Sequence, residues 1–124
     1  MNKNYSLKQL ERYRRQKYIS ALNKCTKNLY KIFKNPTSSY ESYRDKFIEL
    51  KEEIDRYSDV YIQADHIKKI KEYIESLYKK TILSPLSPQE FKEIKSQEAT
   101  NLNRLQKIRN QLKYNKHRYR DKEY

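Results

Sequence analysis

The sequence predicts an all-α protein, an elongated antiparallel helical bundle or coiled coil of three or four long helices. Its apolar residues recur at alternating spacings of three and four, the period of a helix with a heptad-like seam. No segment alternates apolar and polar residues at period two, so no strand is predicted. The three prolines, at positions 36, 85 and 88, fall between the periodic segments and mark their boundaries. The length of 124 residues suits a single domain, 1–124.

The first helix is predicted near residues 6–34. Ser6 and Gln9 form a capping box, in which the two side chains bind N–H groups left free at a helix start. The seam that follows consists of Tyr18, Leu22, Cys25, Leu29 and Ile32. The helix should end just before Pro36, because proline lacks an N–H and disfavours helical conformation in the preceding residue.

The middle of the chain allows two interpretations. Ser38 and Glu41 form a second capping box, which predicts a helix near 38–57. Its seam consists of Tyr40, Tyr43, Phe47, Leu50, Ile54, Tyr57 and Tyr61. If Asp59 caps a new helix near 60–82, with a seam of Ile67, Ile70, Ile74 and Leu77, the bundle has four helices. Since no glycine or proline forces a turn at 58–59, the alternative is one continuous helix over 38–82 and a three-helix coil.

The last helix is predicted near residues 88–120. Ser87 and Glu90 form a third capping box, and Pro88 occupies the first helical position, where its missing N–H costs nothing. The seam consists of Phe91, Ile94, Leu102, Leu105, Ile108 and Leu112, with a weak patch at Glu98. The apolar pattern fades after this seam, so residues 113–124 are interpreted as a basic tail.

The apolar composition predicts a thin core. Leucine, isoleucine, phenylalanine and valine together number 26 of the 124 residues, close to the level at which highly charged chains stay disordered. Thirteen tyrosines compensate, because a tyrosine can bury its ring while its hydroxyl stays hydrated. A thin core with heptad-like seams favours self-association, so a homodimer or a higher homo-oligomer is expected.

Positive charge dominates the chain and is concentrated in two of its segments. Lysine and arginine number 29 against 16 acidic residues, a formal net charge of +13. Residues 1–34 hold ten basic residues and one acidic residue, and residues 99–120 hold seven basic residues and no acidic one. Residues 35–59 are net acidic, with four basic and seven acidic residues. The first and last helices are therefore cationic, and the second is acidic.

Arginines and lysines interleave with tyrosines near both ends of the chain, a pattern typical of nucleic-acid binding. Basic side chains contact phosphates and release counterions, and tyrosine rings stack on unpaired bases. The predicted phosphate-binding residues are Arg12, Arg14, Arg15, Lys17, Arg109, Lys113, Lys116, Arg118 and Arg120. The predicted stacking residues are Tyr13, Tyr114 and Tyr119. An up-down four-helix bundle would bring both clusters to one end, whereas a three-helix coil would separate them.

The expected function is that of a non-enzymatic accessory or architectural protein that binds DNA or RNA. Heavy use of lysine, asparagine, isoleucine and tyrosine suits AT-rich coding DNA, and with it a phage, plasmid or other mobile element. The alternative is a helical protein–protein interaction module, such as a virion or scaffold subunit or an inhibitor of a host enzyme. A membrane partner is disfavoured, because the chain has no tryptophan and residues 1–17 carry a weak apolar face.

Neither an enzyme nor a cofactor is predicted. The sequence has no glycine, which phosphate-cradling loops and dinucleotide-binding turns require. His66 and His117 have no partner at metal-ligand or catalytic spacing, and Cys25 is interpreted as a small seam residue. A metal is conceivable only at an acidic patch of the second helix, which is interpreted instead as pairing with lysines. That acidic patch consists of Glu49, Glu52, Glu53 and Asp55.

A cytoplasmic location is expected from the cysteine content and the hydropathy of the chain. A single cysteine cannot form an internal disulfide, which suits a reducing compartment. No apolar run approaches the length of about 20 residues that a membrane span needs. Residues 1–34 also have the arginine-rich, acid-poor composition of a mitochondrial presequence, but the apolar seam in the same segment favours a helix of the bundle.

Overall fold

The computed structural model describes the backbone of residues 7–122 and the side chains of residues 7–108. Four α-helices occupy this part of the chain: α1 (Leu7–Lys34), α2 (Tyr40–Asp55), α3 (Asp65–Tyr78) and α4 (Pro88–Lys122). A five-residue π-helical turn, Lys79–Leu83, extends α3. No strand occurs within residues 7–122. The helices pack against each other, which confirms the predicted all-α bundle.

The helix starts follow the capping signals with one correction. At α4 the predicted box is present: the Glu90 N–H donates to the Ser87 hydroxyl at 3.1 Å, and the Ser87 N–H donates to Glu90 Oε1 at 2.9 Å. At α2 the predicted cap was wrong by one residue, because Ser39 accepts from the Ser42 N–H. The Ser38 hydroxyl instead donates to carbonyl oxygens at the end of α1, which tightens the turn. Ser6 of the first predicted box lies outside the described residues.

The alternative of one continuous helix over 38–82 is wrong, because residues 56–64 are not helical. The third helix starts at Asp65, after Ala64 in extended conformation, rather than near residue 60. Half-buried Val60, Ile62 and Ala64 alternate with exposed residues, as in any extended segment. Tyr61 is consequently 69% exposed and does not belong to the predicted seam. This connection therefore separates α2 from α3 while covering part of the core.

The chain runs up and down through the four helices. The Lys95 ammonium near the start of α4 donates to the Asn35 and Ser38 carbonyl oxygens, which lie just after α1. Farther along the same pair of helices, Asn103 and Tyr30 line a common groove. As residue numbers increase along α4, the α1 residues beside them decrease in number. The two helices are therefore adjacent and antiparallel.

The core is richest in aromatic rings at the end where α1 stops and α4 starts. Phe33, Tyr43 and Phe91 come from three different helices, and their ring centroids lie 5.0 to 6.1 Å apart. Phe47 packs edge-on against Tyr43 at 5.6 Å. Tyr43 and Phe47 are fully buried, which confirms the seam predicted for the second helix from Tyr40 to Ile54. We call this region the aromatic end.

The π-helical turn carries a polar group into this aromatic end. The Thr81 hydroxyl donates to the Leu77 carbonyl at 2.6 Å, so the Tyr43 hydroxyl at 2.8 Å donates to Thr81 Oγ1. The Tyr40 hydroxyl donates to the Thr81 carbonyl, one of the acceptors left free where a helix ends. Burial raises the pKa of Tyr43, because removal from water disfavours the phenolate. Tyr43 therefore acts as a neutral donor, and the hydrogen bonds of the two tyrosines fix the end of the third helix.

Glu98 interrupts the apolar seam of α4 and is nevertheless buried, at 4% exposed. Its carboxylate accepts hydrogen bonds from the Tyr73 hydroxyl at 2.6 Å and the Asn101 amide at 3.1 Å. The Lys80 ammonium lies 2.9 Å from its second oxygen. Burial acts to raise the pKa of Glu98, but these hydrogen bonds and the Lys80 charge outweigh burial and lower the pKa. Glu98, which weakens the apolar seam in the sequence, is thus an ionised residue that links α3 to α4.

Candidate nucleic-acid interface

The first predicted basic cluster lies on the N-terminal third of α1, which projects from the core. Arg12, Arg15 and Lys17 are exposed. The apolar side chains of the same segment are exposed as well, with Leu7 at 80% and Leu10 at 44%. The buried seam of α1 begins only at Tyr18. We call residues 7–17, together with the part of α4 that lies level with them, the basic end.

Arg14 differs from its neighbours because its charge is already compensated. Its Nη2 atom lies 2.6 Å from Asp59 Oδ1 and donates to the Arg56 carbonyl at 3.4 Å. The same guanidinium lies over the Tyr57 ring, 5.4 Å from the centroid. Asp59 therefore binds α1 instead of capping a third helix. Of the four basic residues predicted in this cluster, Arg12, Arg15 and Lys17 are left with exposed charge, while Arg14 joins α1 to the connection after α2.

Tyr13 has the exposure that a stacking residue needs. Tyr13 is 58% exposed, whereas Tyr40 and Tyr43 of α2 are buried. The Lys17 ammonium lies 5.3 Å from the Tyr13 ring centroid. A base that stacked on Tyr13 would therefore have a positive charge close to its phosphate.

The second predicted cluster belongs to the C-terminal part of α4. The backbone is helical as far as Lys122, so the segment predicted as a basic tail continues the helix. The side chains of Arg109, Lys113, Tyr114, Lys116, Arg118, Tyr119 and Arg120 lie outside the described residues. Both helices rise about 1.5 Å per residue, so their antiparallel register can be extended to the end of α4. Position 118 of α4 is then level with about position 12 of α1. The backbone thus carries both predicted clusters to the same end of the bundle.

A row of exposed lysines continues from the basic end along α1. These are Lys17, Lys24, Lys27, Lys31 and Lys34. Lys24 is paired across to α2, where its ammonium lies 3.3 Å from Glu53 Oε2. A shallow groove on this face is lined by Gln16, Ile19, Ser20, Asn23, Lys24, Lys27, Asn28 and Lys31. No aspartate or glutamate occurs between positions 12 and 34, so this part of α1 itself adds no negative charge to the face.

The acidic patch of α2 is occupied by lysine pairs. Lys51 lies 2.7 Å from Asp55, and Lys46 lies 3.7 Å from Glu49. Together with the Lys24–Glu53 pair, these contacts spread the acidic charge along and between helices. In the part of the chain whose side chains are described, no three histidine, cysteine, aspartate or glutamate residues cluster in a way that could hold a metal ion.

Sequence reasoning missed a second group of lysines, at the other end of α1. A groove between α1 and α4 is lined by Tyr30, Phe33, Lys34, Pro36, Lys92, Lys95, Ser96, Ala99, Thr100 and Asn103. We call it the lysine groove. Burial lowers the pKa of Lys95, and the nearby positive charge of Lys92 lowers it further. The spacing of three between Lys92 and Lys95 places them on one helix face, but the sequence does not show that Lys34 lies opposite.

Of the titratable residues that could serve catalysis, Cys25 is unreactive. Cys25 is fully buried, and burial raises the pKa of its thiol to about 12, so the thiol stays protonated at neutral pH. His66 is half-buried near the start of α3, and the side chain of His117 lies outside the described residues.

Two further observations bear on the kind of protein this is. None of the helices in the described part of the chain is long and apolar enough to cross a membrane. Comparison with protein-family models, with curated proteins and with solved structures finds no significant match to this chain.

Proposed function

We propose that the protein is a non-enzymatic nucleic-acid-binding accessory or architectural protein, which contacts phosphates through α1 and α4 at the basic end. The observation that carries this proposal is the exposure of Arg12, Arg15 and Lys17 on a helix whose positions 12–34 carry no acidic residue. Clusters of uncompensated arginine and lysine bind polyanions by releasing their counterions. Arginine adds bidentate hydrogen bonds to phosphate oxygens.

The antiparallel arrangement of α1 and α4 supports one interface at this end. Residues 109–122 contain six lysines and arginines against one aspartate. Their backbone runs level with the exposed basic segment of α1. Two antiparallel cationic helices present phosphate contacts over a wider surface than either alone, which suits a backbone-directed binder of DNA or RNA.

The proposal is tested by fluorescence anisotropy with labelled single-stranded DNA, duplex DNA and RNA, over about 50 to 300 mM salt. We expect sub-micromolar binding at low salt that weakens steeply as salt rises. The ranking of the three ligands would identify the preferred form of nucleic acid. Flat traces for all three ligands at the lowest salt would contradict the proposal.

A matched pair of variants distinguishes the contribution of the basic end to binding from the contribution of net charge. Arg12→Gln/Arg15→Gln removes two exposed charges at the basic end, and Lys69→Gln/Lys71→Gln removes two exposed charges from α3. The first variant should reduce the salt slope by about two, while the second should change it little. Equal effects of the two variants would mean that general charge, rather than this surface, governs binding.

A second candidate function rests on the exposed apolar side chains of the same segment. Leu7, Leu10 and Tyr13 are 80%, 44% and 58% exposed, respectively, at helical spacings of three. Such a strip favours association with another helix, in a homodimer or with a protein partner. Sedimentation equilibrium of the protein and of Leu7→Gln/Leu10→Gln would test it. A dimer that the substitutions dissociate, together with no affinity for nucleic acid, would favour the scaffold function, and a monomer would exclude self-association.

A further inference from the structure

We infer that the lysine groove is a second phosphate-binding site, which takes a phosphodiester of the same nucleic-acid strand that the basic end contacts. This inference rests on the proposed function. The groove lies at the far end of α1 from Arg12 and is formed by different residues of α4.

The charge of the groove is uncompensated. Lys34, Lys92 and Lys95 line it, and no carboxylate does. Within the described part of α4 the acidic residues are engaged elsewhere. Glu90 binds Ser87, Glu93 accepts from Gln89, and Glu98 is paired with Lys80. An anion entering the groove would therefore meet ammonium groups without competing with an acidic side chain.

Lys95 is held in place, which makes the groove more than a group of mobile surface lysines. Its ammonium donates to the Ser38 carbonyl at 2.8 Å and to the Asn35 carbonyl at 3.1 Å. It also lies 4.9 Å from the centroid of the Phe91 ring. A lysine fixed by two carbonyls loses little further side-chain entropy when an anion approaches its remaining N–H. Lys95 thus provides a fixed positive charge at the floor of the groove.

The remaining walls suit a nucleotide unit rather than an isolated inorganic ion. Ser96 and Asn103 offer hydroxyl and amide donors, and Tyr30 offers a half-buried ring. The Thr100 hydroxyl donates to the Ser96 carbonyl at 3.1 Å and therefore offers an acceptor. The groove is open to solvent and has a volume of about 470 Å³. Backbone-directed binding uses three kinds of contact. Lysine binds the phosphate, short polar side chains bind the sugar, and an aromatic ring stacks on the base.

One face of α1 connects the groove to the basic end. Arg12, Gln16, Asn23, Lys27 and Lys34 follow one another at spacings of four, seven, four and seven, which keeps them on one side of a helix. Arg12 and Lys34 are separated by about 33 Å along the axis, the length of about ten base pairs of duplex. A strand that lay along this face would reach both sites without meeting an acidic residue of α1.

The test compares two variants that remove the same charge. Lys34→Gln/Lys92→Gln removes two exposed groove lysines that form no ion pair among the described residues, and Lys69→Gln/Lys71→Gln is the control on α3. Against labelled nucleic acid about 30 nucleotides long, the groove variant should bind about ten- to fiftyfold more weakly at 100 mM salt and lose one to two units of salt slope. The control should bind within about threefold of wild type. Equal melting temperatures show that all the proteins are folded.

The possible outcomes separate the inference from the proposed function. If the groove variant matches the control while Arg12→Gln/Arg15→Gln weakens binding, the groove is not a site and the proposed function stands. If the wild-type protein binds no nucleic acid at low salt, both the proposed function and the inference are overturned. If only the groove variant weakens binding, the groove holds the strand and the proposed contacts at the basic end are wrong.

A label placed in the groove identifies its occupant directly. Ser96→Cys introduces an exposed thiol that can be coupled to an environment-sensitive dye, because Cys25 is buried and protonated. The dye should respond to a nucleic-acid strand at concentrations where ATP produces no response, and a dye at Lys69→Cys should respond to neither. An equal response to ATP would make the groove a free-nucleotide site and overturn the inference.

Discussion

At the aromatic end of the bundle, rings from three helices pack within about 6 Å of one another, and a threonine in the π-helical turn satisfies two tyrosine hydroxyls. At the basic end, Leu7, Leu10 and Tyr13 remain exposed among arginines and lysines. Stability and charge are therefore separated along α1. The aromatic end can hold the helices together, while the basic end carries charges that would repel each other in any closely packed arrangement.

The largest expected effect is the loss of a ring from the aromatic end. Phe47 is fully buried between Tyr43 and Tyr78, so Phe47→Ala should lower the free energy of unfolding by about 3–5 kcal/mol. Tyr13→Ala at the basic end should change it by no more than about 0.5 kcal/mol, because that ring is exposed. Urea denaturation followed by circular dichroism measures both. Similar losses in the two variants would show that the basic end contributes to the core.

A smaller loss of stability is expected at the link between α3 and α4. Glu98→Gln should cost about 1–2 kcal/mol, because the buried carboxylate loses its charge-assisted bonds to Lys80 and Tyr73. The pKa of Glu98 is lowered in the folded state, so its contribution is present above the unfolded carboxyl pKa of about 4.3. As pH falls through the lower folded pKa that contribution disappears. The difference between wild type and Glu98→Gln should therefore narrow below about pH 4. A constant difference from pH 7 to pH 3 would show that Glu98 is not the titrating group.

At the basic end the expected effects concern binding rather than stability. Arg118→Ala/Arg120→Ala should leave the melting temperature unchanged, weaken nucleic-acid binding, and reduce the salt slope by about one to two units. Anisotropy titrations at several salt concentrations measure the slope. Unchanged binding would show that the C-terminal part of α4 does not belong to the interface.

The smallest effects are expected where the basic end meets the body of the bundle. The Arg14–Asp59 pair is largely exposed, so removing it should cost only about 0.2–1 kcal/mol of stability. Asp59→Asn should increase nucleic-acid affinity about two- to eightfold, because it releases the Arg14 guanidinium from its competing carboxylate. Asp65→Asn is the control, since it removes an exposed acidic charge elsewhere on the surface. Equal gains from the two variants would attribute the effect to net charge alone.

The helices themselves could be predicted because their signals are local. The seam from Tyr18 to Leu29 and the box of Ser87 and Glu90 depend on residues within two turns of each other, and the structure contains both. The break after α2 was harder to predict, because residues 56–64 contain no glycine or proline. Helix ends in such a segment depend on contacts with distant residues, here the pairing of Asp59 with Arg14.

The basic surface of α1 was also predictable, since exposed positions follow directly from the helical period. Charge counted along the sequence could not distinguish Arg14, which is paired, from Arg12 and Arg15, which are exposed. Nor could it show the lysine groove, because Lys34 and Lys92 are 58 positions apart and meet only through the packing of α1 on α4.

The sequence by itself thus determined the helical class, most positions of the buried seams and the concentration of positive charge in the first and last helices. The physical reason is that helix period, capping and charge are properties of neighbouring residues. The tertiary structure decided which charges are compensated, that Glu98 is buried with Lys80, and that α1 and α4 run antiparallel. Those properties depend on distances between residues far apart in the chain, which only the packing of the helices sets.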